Sequence, residues 1–91
     1  MIVYLAGKIK GDPAYKQKFN SYKEVIESRG HVVLNPAVLP FGMPDEKYMP
    51  ICIAMLEAAD AICLIPDYTE SDGAALELAF ALYQNKEIIT I

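Results

Sequence analysis

Four short apolar runs divide the chain, and glycine or proline cuts off the first three. They are Ile2–Ala6 before Gly7, His31–Leu34 before Asn35-Pro36, Ala61–Ile65 before Pro66, and finally Glu87–Ile91. Runs this short, rich in β-branched residues and apolar at consecutive rather than alternate positions, read as strands buried on both faces. The segments between them have a different period. Tyr15, Phe19, Tyr22, Val25 and Ile26 recur at three- and four-residue steps from Ala14 onward, with lysines on the opposite face and Gly30 as the stop. That is the pattern of an amphipathic helix. Pro50 suits the first turn of a second helix running on through Ile51–Ala59, with Ile51, Ala54, Met55 and Ala58 as its apolar positions. Gly73–Asn85 reads as a third. The order is βαβαβαβ, which predicts a single α/β domain over residues 1–91, a small doubly wound parallel four-stranded sheet with helices on both faces. Right-handed crossovers make 2-1-3-4 the most economical strand order.

That order nominates a place for ligands before any motif is considered. Strands one and three become neighbours whose crossovers leave to opposite faces, and open sheets of this class bind ligands at the carboxyl ends of such a pair. Two loops meet there, Gly7–Pro13 and Pro66–Asp72. Asn35–Met49, with Pro36, Pro40, Gly42 and Pro44, is predicted to lack regular structure and to close over them. A loop of roughly fifteen residues in so small a domain is expected to be functional.

Composition removes several alternatives. A chain 54% hydrophobic and 22% charged is not disordered, and no window approaches the ~18 uninterrupted apolar residues of a membrane span. Too few apolar residues precede Gly7 and Lys8 for a signal peptide. A net charge of −4 argues against a nucleic-acid surface. Lys8, Lys10, Lys16, Lys18 and Lys23 gather modestly, which leaves room for a local anion site. Cys52 and Cys63 each occupy an apolar run where a small hydrophobe serves, so free thiols in a reducing, cytoplasmic setting are expected. Two distant cysteines and the lone His31 build no zinc site, and neither metal nor cofactor is implied. His31, at a helix-to-strand junction, reads as structural; Phe19, Tyr22, Met55 and Phe80 read as core. Gly7-Lys8-Ile9-Lys10-Gly11 lacks the spacing of a P-loop or a dinucleotide fingerprint.

The third helix carries the most informative residue. From Gly73 to Asn85 it holds one charge, Glu77, among alanines, leucines and aromatics. A helix apolar all round is covered by the sheet on one side and a second body on the other. A carboxylate there is costly unless it is paired or faces the crevice. About one turn from the helix start, the dipole is expected to favour the ionised form. An ionised, poorly hydrated carboxylate beside a ligand crevice is what a nucleophile at a sugar carbon requires. The other reading is a glutamate bonded to backbone amides at the helix rim, as structure.

Tyr4–Gly7 (YLAG), Asp60 before the third strand, and the pattern from Ser71 to Ala81 (S-x-G-x-x-x-E-L-x-x-A) resemble the nucleoside 2-deoxyribosyltransferase superfamily. The likeness is closest to its short members, among them deoxynucleoside 5′-monophosphate N-glycosidases, and covers nearly the whole chain in order and spacing. The resemblance implies Glu77 as the nucleophile attacking C1′ of the sugar and Tyr4 as the residue that positions it. It implies that Gly7, Lys8, Ile9, Lys10 and Gly11 wrap the nucleotide and that Ser71 belongs to a phosphate-binding set. Gly73 opens the helix and lets the backbone approach the ligand, and its neighbour Asp72 joins the expected binding set.

Two positions depart from the family pattern. Cys52 stands where many members have an aspartate that helps protonate the leaving base, a task a thiol performs poorly. Asp67 or Asp72 from one loop, and Asp45 or Glu46 from the other, are alternative donors that spacing does not separate. Ala79 replaces a glycine. The readings that follow are an enzyme acting on the N-glycosidic bond of a nucleoside or nucleotide, a binding module of the same fold with impaired turnover, and a structural or host-interaction protein with a vestigial crevice. Tyr48 and Met49 are positioned either to stack on a base or to pack. Exposed edge runs (HVVL, EIITI) and the apolar third helix predict a homodimer or higher homo-oligomer, and related enzymes are similar in this respect.

Overall fold

The computed structural model describes residues 1–91. The elements in chain order are β1 (Ile2–Ala6), α1 (Tyr15–Ser28), β2 (Val32–Leu34), a 3-10 turn (Pro36–Val38), α2 (Asp45–Ala58), β3 (Ala61–Leu64), a second 3-10 turn (Pro66–Glu70), α3 (Asp72–Tyr83) and β4 (Glu87–Ile89). The four strands form one parallel sheet in the order β2-β1-β3-β4, as expected from the alternation of elements.

Side-chain alternation along the central strands sorts the core into two layers. Val3 and Leu5 on β1, with Ala61 and Cys63 on β3, face α1 and pack against Phe19 and Ile26. Tyr4, Ala6, Ile62 and Leu64 face the other way and pack with Leu56 of α2 and with Ala74 and Ala81 of α3. Tyr22 joins the first layer, and Met55 and Phe80 the second, as partly buried flanking residues. Both cysteines are free and buried. β2 and β4 are edge strands of three residues, shorter than the apolar runs that contain them. No helix is long and apolar enough to cross a membrane.

One sequence expectation fails here. Asn35–Met49 is not irregular throughout. Asn35 Oδ1 accepts from the Ala37 amide at 2.9 Å and caps the 3-10 turn, and α2 begins at Asp45 rather than at Pro50. Pro44 is the residue before the helix, and Asp45 and Glu46 in the first turn complement its positive end. Pro50 lies inside the helix near its start, where its missing N–H removes only one backbone bond. Pro36 and Pro44, offered by the sequence as breakers, therefore stand here at helix starts, and the stretch without regular structure shrinks to residues 39–44. The second predicted loop likewise winds into the 3-10 turn over Pro66–Glu70.

Candidate active site

β1, the sheet's second strand, ends at Ala6, and β3 beside it ends at Leu64. The chain turns away from both at the same edge, and a cleft of about 1080 Å³ opens there. Its walls are the Gly7–Pro13 loop, the segment between β2 and α2, and the start of α3. Tyr4 and Glu77 lie at its floor. The ten residues given catalytic or binding roles from the sequence all line it: Tyr4, Gly7, Lys8, Ile9, Lys10, Gly11, Ser71, Asp72, Gly73 and Glu77. They are drawn from two separate stretches of the chain, Tyr4–Gly11 and Ser71–Glu77, and meet because β1 and β3 are adjacent.

The floor is built from the second core layer. Tyr4 is fully buried and Glu77 is 6% exposed. The Tyr4 hydroxyl donates to Glu77 Oε2 at 2.5 Å. Burial, then the Glu77 charge, drive the phenol far above its usual range, so Tyr4 stays protonated and keeps its proton for the bond to Glu77. Burial pushes the Glu77 carboxyl up to about 7, and the Tyr4 hydroxyl and the Cys52 thiol pull it only part of the way back. This corrects the expectation that the helix dipole keeps Glu77 ionised. The dipole acts within the first turn, which Glu77 has already left, and desolvation is the larger effect. Near neutral pH both protonation states of Glu77 are populated. Cys52, on α2, faces the same pair; burial raises its thiol too, so it remains a neutral thiol there.

The walls are held by polar bonds. Gly7 has no room for a side chain: a Cβ there stands 2.8 Å from Ile65 Cβ. Gly11 adopts φ +81°, a left-handed conformation in which glycine carries no Cβ penalty. Ser71 caps α3, its Oγ accepting from the Ala74 amide at 3.1 Å. The first-loop lysines are already matched with carboxylates, Lys8 Nζ with Glu70 at 3.4 Å and Lys10 Nζ with Asp45 at 3.1 Å. An anionic ligand must compete with those carboxylates for them.

The four alternative proton donors separate in space. Asp67 Oδ1 accepts from the Lys8 amide at 3.0 Å and Oδ2 pairs with Lys18, so both oxygens are engaged, and Asp67 is not part of the lining. Glu46 does not line the cleft either. Asp45 does, but on the far wall and paired with Lys10; Asp72 lines it from the exposed first turn of α3. His31 stands away from the cleft with Nδ1 3.0 Å from the Met1 amine. Ala79 falls on the exposed outer face of α3.

Sequence reasoning missed part of the mouth. Leu39, Phe41 and Met43 line the cleft from the β2–α2 segment, and Phe41 is 85% exposed. Tyr48 and Met49, which the sequence left between stacking on a base and packing, line it too. The Tyr48 hydroxyl donates to Pro40 O and accepts from the Met43 amide at 3.1 Å, which ties that segment to α2. The isolated aromatic between Pro40 and Gly42 was the available signal. Lys18, counted from the sequence among lysines with room for an anion, is instead paired with Asp12 and Asp67; that pairing was missed because Asp67 is distant in sequence.

The sequence and the fold have counterparts. A family model described as "Domain of unknown function (DUF4406)" matches residues 1–90. A protein of Thermofilum pendens named putative 2′-deoxynucleoside 5′-phosphate N-hydrolase 1 is 30% identical over 97 residues, covering 100% of this chain and 67% of its own length. Among solved structures, a 2-desoxiribosyltransferase from Leishmania mexicana superposes with a TM-score of 0.76 at 22% identity, over 99% of this chain and 63% of that one. A 2-deoxyribosyltransferase from Bacillus psychrosaccharolyticus gives 0.76 at 20% identity, over 99% and 71%. The chain thus spans less than two thirds of the Leishmania enzyme, and these two likenesses speak for the fold.

Proposed function

The chain belongs to the DUF4406 family, within the nucleoside 2-deoxyribosyltransferase-like superfamily, and from that premise we propose that it cleaves or transfers the N-glycosidic bond of a nucleoside or nucleoside 5′-monophosphate, with Glu77 as nucleophile. The observation that carries this reading is the buried Glu77–Tyr4 pair at the floor of a cleft large enough for such a ligand.

In the first step a Glu77 oxygen bonds to C1′ as the C1′–N bond breaks, and that bond's electron pair leaves with the base. The departing base takes its proton from water at the open mouth of the cleft, and the hydroxide left behind is neutralised in solvent. In the second step a water oxygen or the nitrogen of another base attacks C1′, its proton is lost, and the carboxylate is released. Tyr4 holds one carboxylate oxygen by its hydrogen bond and so aims the other. The Gly7–Gly11 loop, Ser71, Asp72 and Gly73 contact the sugar and whatever its 5′ position carries. A homo-oligomer in a reducing, cytoplasmic setting completes the reading, supported by two buried free thiols and by the exposed Leu76, Leu82 and Tyr83 on α3.

Cys52 supports a second reading, a nucleotide-binding module with impaired turnover. A buried neutral thiol replaces the family carboxylic acid, and the only carboxyl in the buried floor is Glu77 itself.

Free-base release separates the two. The full chain is incubated with a panel of nucleosides and 5′-monophosphates and the products are resolved by chromatography. The enzymatic reading expects base from at least one substrate and none from Glu77→Ala. Thermal stabilisation by a nucleotide with no base release supports the binding module; base release that persists in Glu77→Ala overturns the nucleophile.

A further inference from the structure

We propose that Lys18 and Asp67 are positioning residues, which hold the Gly7–Asp12 wall of the cleft from behind without touching its contents. Lys18 is in the first turn of α1 with its side chain 21% exposed, and Asp67 is in the 3-10 turn after β3. Neither lines the cleft. The Lys18 ammonium donates to Lys8 O at 2.8 Å, to Asp12 Oδ2 at 2.5 Å and to Asp67 Oδ2. All three of its donors are therefore directed at the loop or at the turn beside it. Asp67 Oδ1 accepts from the Lys8 amide at 3.0 Å. The N–H and C=O of Lys8 are thus both held by one ion pair, just where the loop begins to line the cleft. At its other end, Asp12 Oδ1 accepts from the Ala14 amide at 2.9 Å while Oδ2 meets Lys18.

The electrostatics favour a fixed loop. Burial alone would lower the Lys18 ammonium, yet its bonds to Asp12 and Asp67 outweigh that and raise it. Asp12 is lowered, first by its bond to Lys18. Partly buried, charge-assisted bonds of this kind are stronger than neutral ones. Without the lysine, two carboxylates face each other with no cation between them, and the loop loses its hold at both ends.

The effect on turnover rests on the glycosidic reading above; the effect on the loop does not. Lys18→Met, Asp67→Asn and Lys18→Arg are compared in the full chain by amide hydrogen exchange and by base-release kinetics. Exchange at the Lys8 and Asp12 amides, which donate to Asp67 Oδ1 and Ile9 O, is expected to accelerate about tenfold in the first two variants with β1 and β3 unchanged, and to be largely restored in Lys18→Arg. KM is expected to rise about tenfold with kcat within about threefold, because a displaced wall weakens capture more than chemistry. Wild-type exchange in the loop of Asp67→Asn, or acceleration spread over the whole chain, overturns the proposal, as does a collapse of kcat at unchanged KM. If the wild-type chain releases no base from any substrate, the glycosidic reading fails, and the exchange pattern alone decides the role of Lys18 and Asp67.

Discussion

The Tyr4 hydroxyl meets Glu77 Oε2 at 2.5 Å across 73 positions of sequence, and both groups are withdrawn from water. A carboxylate on an apolar helix needs a donor to be tolerated as an anion, and the strand beneath it supplies one. Because burial still pushes Glu77 up to about 7, the pair forms a group that titrates in the physiological range.

Base release is expected to follow that titration. A nucleophile acts as the anion, so kcat/KM rises with pH through about 7 and flattens above it. Tyr4→Phe removes the bond that pulls Glu77 down. The midpoint of the limb then moves to higher pH and the rate at neutral pH falls by about tenfold or more. A pH–rate profile of both proteins checks this; a limb unmoved in Tyr4→Phe contradicts it.

The same burial has a consequence for stability. Glu77 titrates higher in the folded chain than the 4.5 of an unperturbed carboxyl. The folded state therefore holds its proton more tightly, and the associated stability is present below about 4.5 and lost as pH rises through about 7. The interval corresponds to about 3 kcal/mol at most. Glu77→Gln, which keeps an acceptor for Tyr4, is expected to raise Tm relative to wild type at pH 8 and to leave the two nearly equal at pH 4. Equal differences at both pH values would show that Glu77 is not desolvated in solution.

Gly7 is fixed by contact rather than by conformation. In Gly7→Ala the new methyl lies 2.8 Å from Ile65 Cβ and 3.2 Å from Asp67 Oδ1, so the loop or the end of β3 must shift. Overpacking of this kind costs about 1–3 kcal/mol. A fall in Tm of at least about 5 °C by calorimetry is expected for a domain of this size.

The outer face of α3 presents Ala75, Leu76, Ala79, Leu82 and Tyr83 to solvent with no charge among them, whereas α1 presents lysines and glutamates. A second copy covering that stripe is the expected state at micromolar concentration by light scattering. Leu82→Glu is expected to give a monomer with little change in secondary structure; a monomeric wild-type chain contradicts the prediction.

Most of the architecture follows from patterns that the residues carry locally. Apolar runs ended by Gly7, Pro36 and Pro66 define parallel strands, the spacing from Tyr15 to Ile26 defines α1, and handedness leaves one economical order. Once that order holds, Tyr4, the first loop and the start of α3 must converge at one edge, so the cleft was legible in advance. The bounds of α2 were not. A proline breaks or begins a helix according to where the first turn falls, and packing of Cys52 and Leu56 against the sheet settles that. Nor were the charges legible. Whether Glu77 is an anion depends on how much water tertiary burial removes, and the helix position alone gave the wrong sign. Lys18, Asp12 and Asp67 have unremarkable sequence contexts, and their partnership exists only because α1 and the turn after β3 flank the same loop. Local periodicity determined the frame, because it records which faces avoid water; the protonation and pairing of the polar groups were decided by distances that only the folded chain creates.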